Sequence, residues 1–432
     1  MKLQSIKRYE AYKDSGIEWL GKVPAHWTLD RLKNLTKTQS GTTPQSGSSK
    51  YYDGGTNYWV RTTDLNNGRL FKSEFKITDL ALDDCGLKTI PVNSVLLAMY
   101  GGMGTIGKNS LLQKAVTINQ SVCAILPHEK CFNSIYLWYY VQYFRPIWEM
   151  FADSARKDPN INQEAIKRLW VILPSLPEQT AIANYLDTKT AQIDRQIDLL
   201  SKKSTQYNKL KQALINETIT RGLDKSVAMK DSGVEWIGEI PAHWLFNRHK
   251  DNFSFVSDRC ANSSLTKVGL ENIEGKTGRF ISTDSEFDGD GVEFKQNDIL
   301  FGKLRPYLAK VYLAEFNGNA VGDIFVYRMK KCITSNFAQY LMLSDRYIDV
   351  INSSTAGAKM PRVSSNFIAN LPTPTPPLYE QQAIAEYLDQ KTAHIVRIVT
   401  SINTQVAKLK ELRLTLINDV VTGKIKITNE VV

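Results

Sequence analysis

Apolar residues recur every seven positions along Glu178–Arg221 and again along Glu380–Gly423. The two sets of anchors are offset by 202 positions (388 − 186): Leu186, Ile193, Leu200, Tyr207 and Leu214, then Leu388, Ile395, Ile402, Leu409 and Leu416. More apolar residues follow three or four positions after these anchors: Ile197 and Leu210, then Val399, Val406, Leu412 and Val420. One helix cannot bury such a stripe alone. The pattern therefore predicts two long helices paired as an intramolecular coiled coil, rather than two amphipathic helices on separate cores.

The start of the first helix has a sequence signal of its own. Ser175-Leu-Pro-Glu178 matches a capping box, with Pro177 in the first turn, where a missing N–H is tolerated. At about 1.5 Å per residue, such a helix would be roughly 65 Å long. This length is close to two turns of B-DNA, at about 34–36 Å per turn.

A second repeat precedes each helix. Lys13-Asp-Ser-Gly-Ile-Glu-Trp-Leu-Gly-Lys-Val-Pro-Ala-His-Trp27 returns as Lys230-Asp-Ser-Gly-Val-Glu-Trp-Ile-Gly-Glu-Ile-Pro-Ala-His-Trp244. The chain is therefore predicted to be an internal duplication of box, variable domain and helix. His26 and His243 could suggest catalysis, but no nucleophile recurs beside them. We interpret both boxes as structural, with Trp and His packed against helix ends.

The segments between boxes and helices predict α+β domains. In the first, strands are expected at 58–62, 94–100 and 120–126, followed by a helix from Asn133 to about Phe151. In the second, strands are expected at 265–273, 298–301 and 323–328, with a helix over 336–351. The prolines of 371–377 favour a stiff polyproline II approach to the second long helix.

These predictions divide the chain into a pseudo-twofold α+β architecture of two variable domains and two long antiparallel helices. The boundaries are 1–27 for the first box, 28–175 for the first domain, 176–223 for the central helix, 224–376 for the second box and domain, 377–424 for the C-terminal helix and 425–432 for a tail.

Gly102-Met-Gly-Thr-Ile-Gly107, followed by Lys108, resembles a nucleotide-binding loop. Both G-x-G-x-x-G and the P-loop place a helix directly after the glycines, so that its N-terminus faces the phosphates. The residues that follow Lys108 favour a strand instead. A glycine-rich hairpin is therefore predicted here.

Composition narrows the function without deciding it. The chain has 432 residues, a net charge of +10 and 42% hydrophobic residues, typical of a globular protein that could bind a polyanion. The five cysteines form no Cys-x-x-Cys pair, so neither a zinc site nor a disulfide framework is expected. No apolar run is long enough to span a membrane and no h-region follows Met1, so we expect a cytoplasmic protein without a membrane partner.

Basic, amide and aromatic side chains gather in loops where the two domains differ. Arginine and lysine suit guanine edges or phosphates, and asparagine and glutamine suit adenine edges. The candidate DNA-binding residues are Arg61, Lys108, Asn119, Gln120, Arg156, Lys157, Asn160, Asn162 and Gln163 in the first domain, and Lys267, Asn272, Lys303, Arg305, Tyr307, Lys310, Lys359 and Arg362 in the second.

The duplicated box, the helix opening Pro177-Glu-Gln-Thr-Ala-Ile-Ala-Asn-Tyr-Leu-Asp187 and the segment Asp298-Ile-Leu-Phe-Gly-Lys-Leu-Arg-Pro-Tyr-Leu-Ala-Lys310 resemble specificity subunits of type I restriction–modification enzymes. In the second helix opening Tyr379 stands in place of Pro177. The resemblance implies two domains that each read half of a split double-stranded DNA site, with helices that fix the gap. It also implies methyltransferase (M) and restriction/translocase (R) partner subunits that hold S-adenosylmethionine, ATP and Mg²⁺, while this chain has no catalytic residues, metal or cofactor.

Two other functions are compatible with the composition. A nuclease or methyltransferase with two DNA domains would modify DNA alone, given Mg²⁺ or S-adenosylmethionine. A coiled-coil scaffold for protein partners would bind DNA weakly and without sequence preference at raised salt.

Overall fold

The computed structural model of the chain describes residues 7–101, 104–153, 160–260, 265–285, 287, 289–357 and 359–427. They form two compact units, the first comprising Met1–Leu199 with Gln405–Val432 and the second Leu200–Thr404. The unit boundary falls inside both long helices. Each unit therefore contains one box, one variable domain and a part of each helix.

The first unit is mixed α/β. Its strands are β1 (Tyr12–Asp14), β2 (Lys22–Pro24), β3 (Thr28–Arg31), β4 (Thr38–Ser40), β5 (Asn57–Val60), β6 (Arg69–Leu70), β7 (Lys76–Ile77), β8 (Val95–Ala98), β9 (Asn109–Leu112), β10 (Thr117–Ile118), β11 (Val122–Ile125) and β12 (Trp170–Leu173). Its helices are α1 (Leu32–Leu35), α2 (Ser49–Tyr52), α3 (Asp79–Asp84), α4 (Ser134–Asp153), α5 (Gln163–Lys167) and the first part of α6 (Leu176–Arg221).

A five-stranded sheet of order β4–β11–β8–β9–β6 is the centre of this unit, and β8 and β9 pair antiparallel. Successive side chains of a strand point to opposite faces of a sheet. Val95 and Leu97 of β8 accordingly pack with α4 and the long helices, while Leu96 and Ala98 belong to a separate core on the other face. Strands β10–β5–β7 form a smaller sheet, and β12 pairs with β3.

The second unit repeats this plan. Its strands are β13 (Met229–Asp231), β14 (Glu239–Pro241), β15 (Leu245–Arg248), β16 (Phe253–Val256), β17 (Arg259–Cys260), β18 (Thr266–Val268), β19 (Gly291–Phe294), β20 (Ile299–Gly302), β21 (Val311–Leu313), β22 (Gly318–Ala320), β23 (Ile324–Met329) and β24 (Pro372–Thr375). Its helices are α7 (His249–Asn252), α8 (Ser335–Leu343), α9 (Asp345–Ser353), α10 (Ser365–Asn370) and most of α11 (Leu378–Val421).

Two four-stranded sheets, β16–β23–β20–β21 and β17–β19–β22–β18, support this unit. Here too the strand alternation divides the core, because Ile299 and Phe301 face α8 and α9 while Leu300 faces the other side. The single helix predicted over 336–351 is two helices. Ser344 takes an extended conformation, with ψ 137°, and ends α8 where α9 begins.

The prediction of two long paired helices is confirmed. In the first unit Leu186 of α6 shares a core with Val420 and Val421 of α11, and Arg413 Nε lies 3.0 Å from Asp194 Oδ1. In the second unit Ile219 of α6 shares a core with Leu388 of α11. The start of each helix thus packs against the end of the other, so the pair is antiparallel.

The predicted anchors lie along this seam with different degrees of burial. Leu186, Ile193, Leu388, Ile395 and Ile402 are buried, as is Val420, whereas Leu200, Tyr207, Leu214, Leu409, Leu416, Ile197, Val399 and Val406 are half-buried. The inclusion of Leu210 and Leu412 was wrong, since they are 54% and 51% exposed. A straight helix drifts about 20° per heptad relative to a strict seven-residue repeat, so the buried face moves to Ile215 and Ile417.

The expectation of a polyproline II approach to the second long helix was also wrong. Pro372–Thr375 is strand β24, antiparallel to β15. Pro372 and Pro374 alternate with Thr373 and Thr375, so the backbone nitrogens of both prolines lie on the same side of the strand. A two-stranded ladder can accommodate proline where the missing N–H would point away from the partner strand.

The core of the second unit contains a buried histidine with polar neighbours. His249 stacks on Phe253 at 4.1 Å between ring centroids and lies 4.8 Å from the Tyr327 ring and 6.3 Å from the Tyr347 ring. His249 Nε2 and both tyrosine hydroxyls lack a hydrogen-bond partner within the described part of the chain. Burial therefore lowers the pKa of His249 to about 3. Its counterpart in the first unit is Leu32, since both residues open a short helix and donate their backbone N–H to the equivalent leucine.

We predict that Leu186→Ala lowers the free energy of unfolding by about 2–5 kcal/mol, because it leaves a cavity in a closed core. The matched change Leu210→Ala, on the exposed side of the same helix, should alter it by less than about 0.5 kcal/mol. Denaturant unfolding monitored by circular dichroism measures both. Equal effects would mean that the buried seam has been misplaced.

We also predict a loss of stability in mild acid from His249. Its folded pKa is depressed, so the unfolded chain takes up a proton below about pH 6.5 while the folded chain does not, and stability falls as the pH falls. The loss between about pH 6.5 and pH 5 should be on the order of 2 kcal/mol. His249→Leu, which installs the residue of the first unit, should abolish it, whereas His128→Gln at an exposed site should not. An unchanged pH slope in His249→Leu would contradict the assignment.

Candidate nucleic-acid interface

Two loops of the second unit form one continuous surface. The loop after β20 contains Lys303, Arg305 and Tyr307, and the loop before α10 contains Lys359 and Arg362. Leu304 and Arg362 form a β-bridge between the two loops, and the Arg305 N–H donates to the Pro361 carbonyl over 2.8 Å. Five of the predicted residues are therefore brought together, and we call this group the second recognition surface.

An acidic side chain lies between two cations of the second recognition surface. Asp323, at the start of β23, accepts from Arg362 Nε and Nη2 at 3.2 and 2.9 Å, and Lys303 Nζ lies 3.6 Å away. The Arg362 guanidinium holds the pKa of Asp323 below its usual value, so the carboxylate stays ionised near neutral pH. One carboxylate between two cations leaves a net positive surface with fixed side-chain positions.

The backbone of the loop after β20 has an unusual conformation. Arg305 and Ala309 have φ of 51° and 46°, in the left-handed region that non-glycine residues rarely adopt, and Pro306–Leu308 forms a 3₁₀ turn between them. Such strain persists only where the surroundings hold it. The loop presents Tyr307 at the surface, with 45% of its area exposed.

Three predicted residues of this unit point inward instead. Asn272 is buried, and its amide donates to the Ile281 carbonyl at 3.1 Å and to Thr283 at 3.0 Å. Lys267 Nζ donates to the Phe287 carbonyl at 2.9 Å, and Lys310 Nζ donates to the Leu270 carbonyl. These side chains hold the region around the 3₁₀ turn Leu270–Asn272 and are engaged within the unit.

The corresponding surface of the first unit lies at the loop after β8. Gly104–Gly107 is a turn that leads directly into β9, so no helix follows the glycines and the hairpin prediction is confirmed. Arg145 holds this turn by donating to the Ile106 carbonyl at 3.2 Å and the Gly104 carbonyl at 2.8 Å. Lys108, half-buried, ends the loop.

The segment 160–163 meets this loop as its counterpart does in the second unit. Ile161 N–H donates to the Met99 carbonyl at 3.0 Å, and Val363 N–H donates to the Lys303 carbonyl at 3.2 Å. Asn160 therefore takes the place of Arg362. Asn162 caps α5, as Ser364 caps α10. The Asn162 side chain therefore has a structural role.

The remaining predicted residues of the first unit are dispersed. Gln163 bonds Ser40 and Thr38, and the buried Asn119 accepts from Ser121 N–H. Arg61 lies 3.2 Å above the Phe75 ring centroid, and the exposed Gln120 bonds Thr43. Arg156 and Lys157 lie outside the described residues.

Each variable domain is joined to its long helix by the same contacts. Tyr139 donates to Asp187 Oδ1 at 2.8 Å and lies 3.0 Å from Thr190 Oγ1 in the first unit. In the second, Tyr340 does the same with Asp389 at 2.6 Å and Thr392 at 3.2 Å. Arg69, which the sequence did not single out, adds an ion pair to Asp187 at 2.6 Å only in the first unit. The sequence feature that could have identified Arg69 is its position directly after the Asn66-Asn-Gly turn.

Each box binds the first turn of one long helix, which agrees with the structural interpretation of His26 and His243. Glu178, in the first turn of α6, lies 2.9 Å from His26 Nε2 and accepts from Ser175 and from the fully buried Trp27. Partial burial opposes ionisation, but these hydrogen bonds lower the pKa of Glu178 overall. Glu380 of α11 repeats the arrangement with His243 at 2.5 Å and Trp244 at 2.9 Å.

Two features are absent from the part of the chain that the structure describes. No group of three His, Cys, Asp or Glu side chains among the described residues could hold a metal ion. No described helix is long and apolar enough to cross a membrane.

Comparison with known proteins adds an independent line of evidence. A profile of the type I restriction modification DNA specificity domain matches residues 24–206 and 265–408. The chain is 24% identical to the type I restriction enzyme MjaVIII specificity subunit of Methanocaldococcus jannaschii over 94% of this chain and 95% of that protein. It is 27% identical to the EcoDI specificity subunit of Escherichia coli over 59% of this chain and 62% of that one.

Two solved structures have the same fold. A chain from work on complex assembly and conformational transition of the type I R-M system superposes with a TM-score of 0.71 at 14% identity, covering 93% of this chain and 99% of that one. The HsdS subunit from Thermoanaerobacter tengcongensis gives a TM-score of 0.50 at 15% identity, covering 93% and 98%.

Proposed function

The chain belongs to the type I restriction modification DNA specificity family, and from this we propose that its two target-recognition domains read the two halves of one interrupted DNA sequence. As a specificity subunit it serves DNA recognition in a restriction–modification system. The observation that carries the proposal is a contrast between the two units. Both joints to the helices use the same tyrosine, aspartate and threonine contacts, whereas the exposed loops differ in charge and residue type.

The second recognition surface supports direct contact with DNA. Lys303, Arg305, Lys359 and Arg362 provide cations for phosphates or guanine edges, and the exposed Tyr307 adds an aromatic side chain. In the first unit Asn160 takes the place of Arg362, and its amide suits an adenine edge instead of a phosphate or guanine. Two unlike surfaces would read unlike half-sites. The expected target is therefore asymmetric.

The paired helices supply the proposed constraint on the gap between half-sites. Each has more than forty residues, with 46 in α6 and 44 in α11. Each helix buries its apolar face against the other, so neither can change length alone without a loss of register. We propose that the number of helical turns determines how many base pairs separate the half-sites.

We further propose that methylation and cleavage belong to partner subunits. Methyltransferase subunits would bind S-adenosylmethionine, and restriction subunits would use ATP and Mg²⁺. Co-expression with candidate methyltransferase subunits and genome-wide mapping of methylated adenine tests this assignment. A single interrupted motif is the expected outcome, and modification of DNA by the purified chain alone would contradict it.

We predict opposite effects of two substitutions in the second recognition surface. Arg362→Ala removes a cation and should weaken binding to the mapped duplex, lowering the slope of log affinity against log salt by about 0.9 for one phosphate contact. Asp323→Asn removes the neighbouring negative charge and should strengthen binding. Fluorescence anisotropy across a salt series measures both effects. Equal weakening by the two changes would mean that the cluster has only a structural role.

We predict that shortening both helices together shortens the gap. Deleting Ser204–Leu210 from α6 and Arg397–Asn403 from α11 removes facing heptads, because Ser204 Oγ bonds Asn403 Oδ1 at 3.3 Å. A loss of about 10 Å corresponds to about three base pairs at roughly 3.4 Å each. Mapping of methylated adenine should show the same half-sites with a shorter gap, or no methylation. An unchanged motif would refute the proposed role of the helices.

A further inference from the structure

An aromatic cavity of about 360 Å³ lies in the first unit, beside the segment 160–163. The rings of Trp19, Phe144, Trp148 and Trp170 line it together with Arg31 and Arg168. None of the described residues that line it is acidic. Its volume falls in the range of about 300–1,000 Å³ that is usual for small-molecule sites.

The walls of this cavity are well ordered by contacts with one another. Phe144 meets Trp19 and Trp148 edge to face, with 4.8 Å between ring centroids in each pair. The Arg31 guanidinium lies 4.1 Å from the centre of the Trp170 ring, and Arg31 Nη1 donates to the Arg168 carbonyl at 2.5 Å. The Arg31 guanidinium is therefore fixed over an indole, while the Arg168 side chain remains exposed.

The cavity is continuous with the segment proposed to meet DNA. Asn160 and Ile161 line it, and Ile161 N–H holds the loop after β8 through Met99. Asn160 is the counterpart of Arg362 of the second recognition surface. An amide at this place can pair with the edge of a base, and the exposed Arg168 guanidinium can pair with a phosphate.

The second unit lacks this cavity wall. Strand β12 pairs Trp170 with Arg31, and the equivalent pair in the second unit is Pro372 with Arg248. The same strand pair therefore forms without an indole. The shared fold therefore does not require Trp170.

We propose that this cavity holds one unpaired nucleotide of the bound DNA, with its base against the indole rings and the Arg31 guanidinium and its phosphate beside Arg168. Stacking on aromatic side chains stabilises a bound base, whereas extruding a paired base costs the stacking and pairing energy that it has in the duplex. An unpaired base avoids most of that cost. This inference rests on the proposed DNA recognition and goes beyond it by naming an extrahelical nucleotide.

The test compares two labelled duplexes of the mapped sequence, one fully paired and one with a single unpaired adenine beside the half-site of the first unit. The full chain should bind the duplex with the unpaired adenine about tenfold more tightly in fluorescence anisotropy, as expected for one stacked base. Trp170→Leu should remove this preference and change affinity for the paired duplex less than about twofold. Arg168→Gln, which leaves the indole in place, should reduce the preference as well.

A matched control is Tyr379→Leu, which removes an exposed aromatic side chain of the second unit and should keep the preference. Equal binding of the two duplexes by the unsubstituted chain would overturn the inference and leave the proposed function intact. Failure to bind either duplex would overturn both. A preference that survives Trp170→Leu would refute the nucleotide site.

Discussion

The antiparallel seam between α6 and α11 is the interaction on which the rest of the structure depends. Each helix carries an apolar face that its own variable domain covers only near the helix start. The first unit is closed by Ile417, Val420 and Val421, which lie more than two hundred residues after the rest of its core. The second unit is closed by Ile215 and Ile219 of α6. Neither core is complete without the helix that begins in the other half of the chain.

The joints show how the duplication keeps each domain in place on this seam. A carboxylate in the first turn of each long helix interacts favourably with the helix dipole and accepts hydrogen bonds from a box histidine and tryptophan. At the opposite helix end a glycine in the left-handed region, Gly222 or Gly423, lies against the same tryptophan, where a Cβ atom would collide or touch closely. One buried indole thus contacts the start of one helix and the end of the other.

The sequence predicted the parts of this fold that depend on periodicity and on exact repetition. Both long helices were placed within about two residues, because a stripe repeated over several turns averages out local ambiguity. The exposure of Leu210 could not be read from a heptad pattern, since it follows from the drift of an actual helix. The strand at Pro374 was missed for a different reason, because its partner strand lies more than a hundred residues earlier in the chain. The inward direction of Asn272 depends on a 3₁₀ turn that its own side chain stabilises.

The candidate recognition residues were the least predictable part of the chain, and the reason is physical. An exposed cation and a cation bonded within the fold have the same sequence signature, so Lys359 and Lys310 could not be told apart before the structure was known. Asp323 was missed because an acidic residue argues against a DNA surface when it is considered alone. Between Lys303 and Arg362 it has another effect, since it fixes two flexible side chains at the cost of one unit of charge. A preorganised cation loses less conformational freedom when it meets a phosphate, and so the carboxylate favours selective binding at the expense of net attraction.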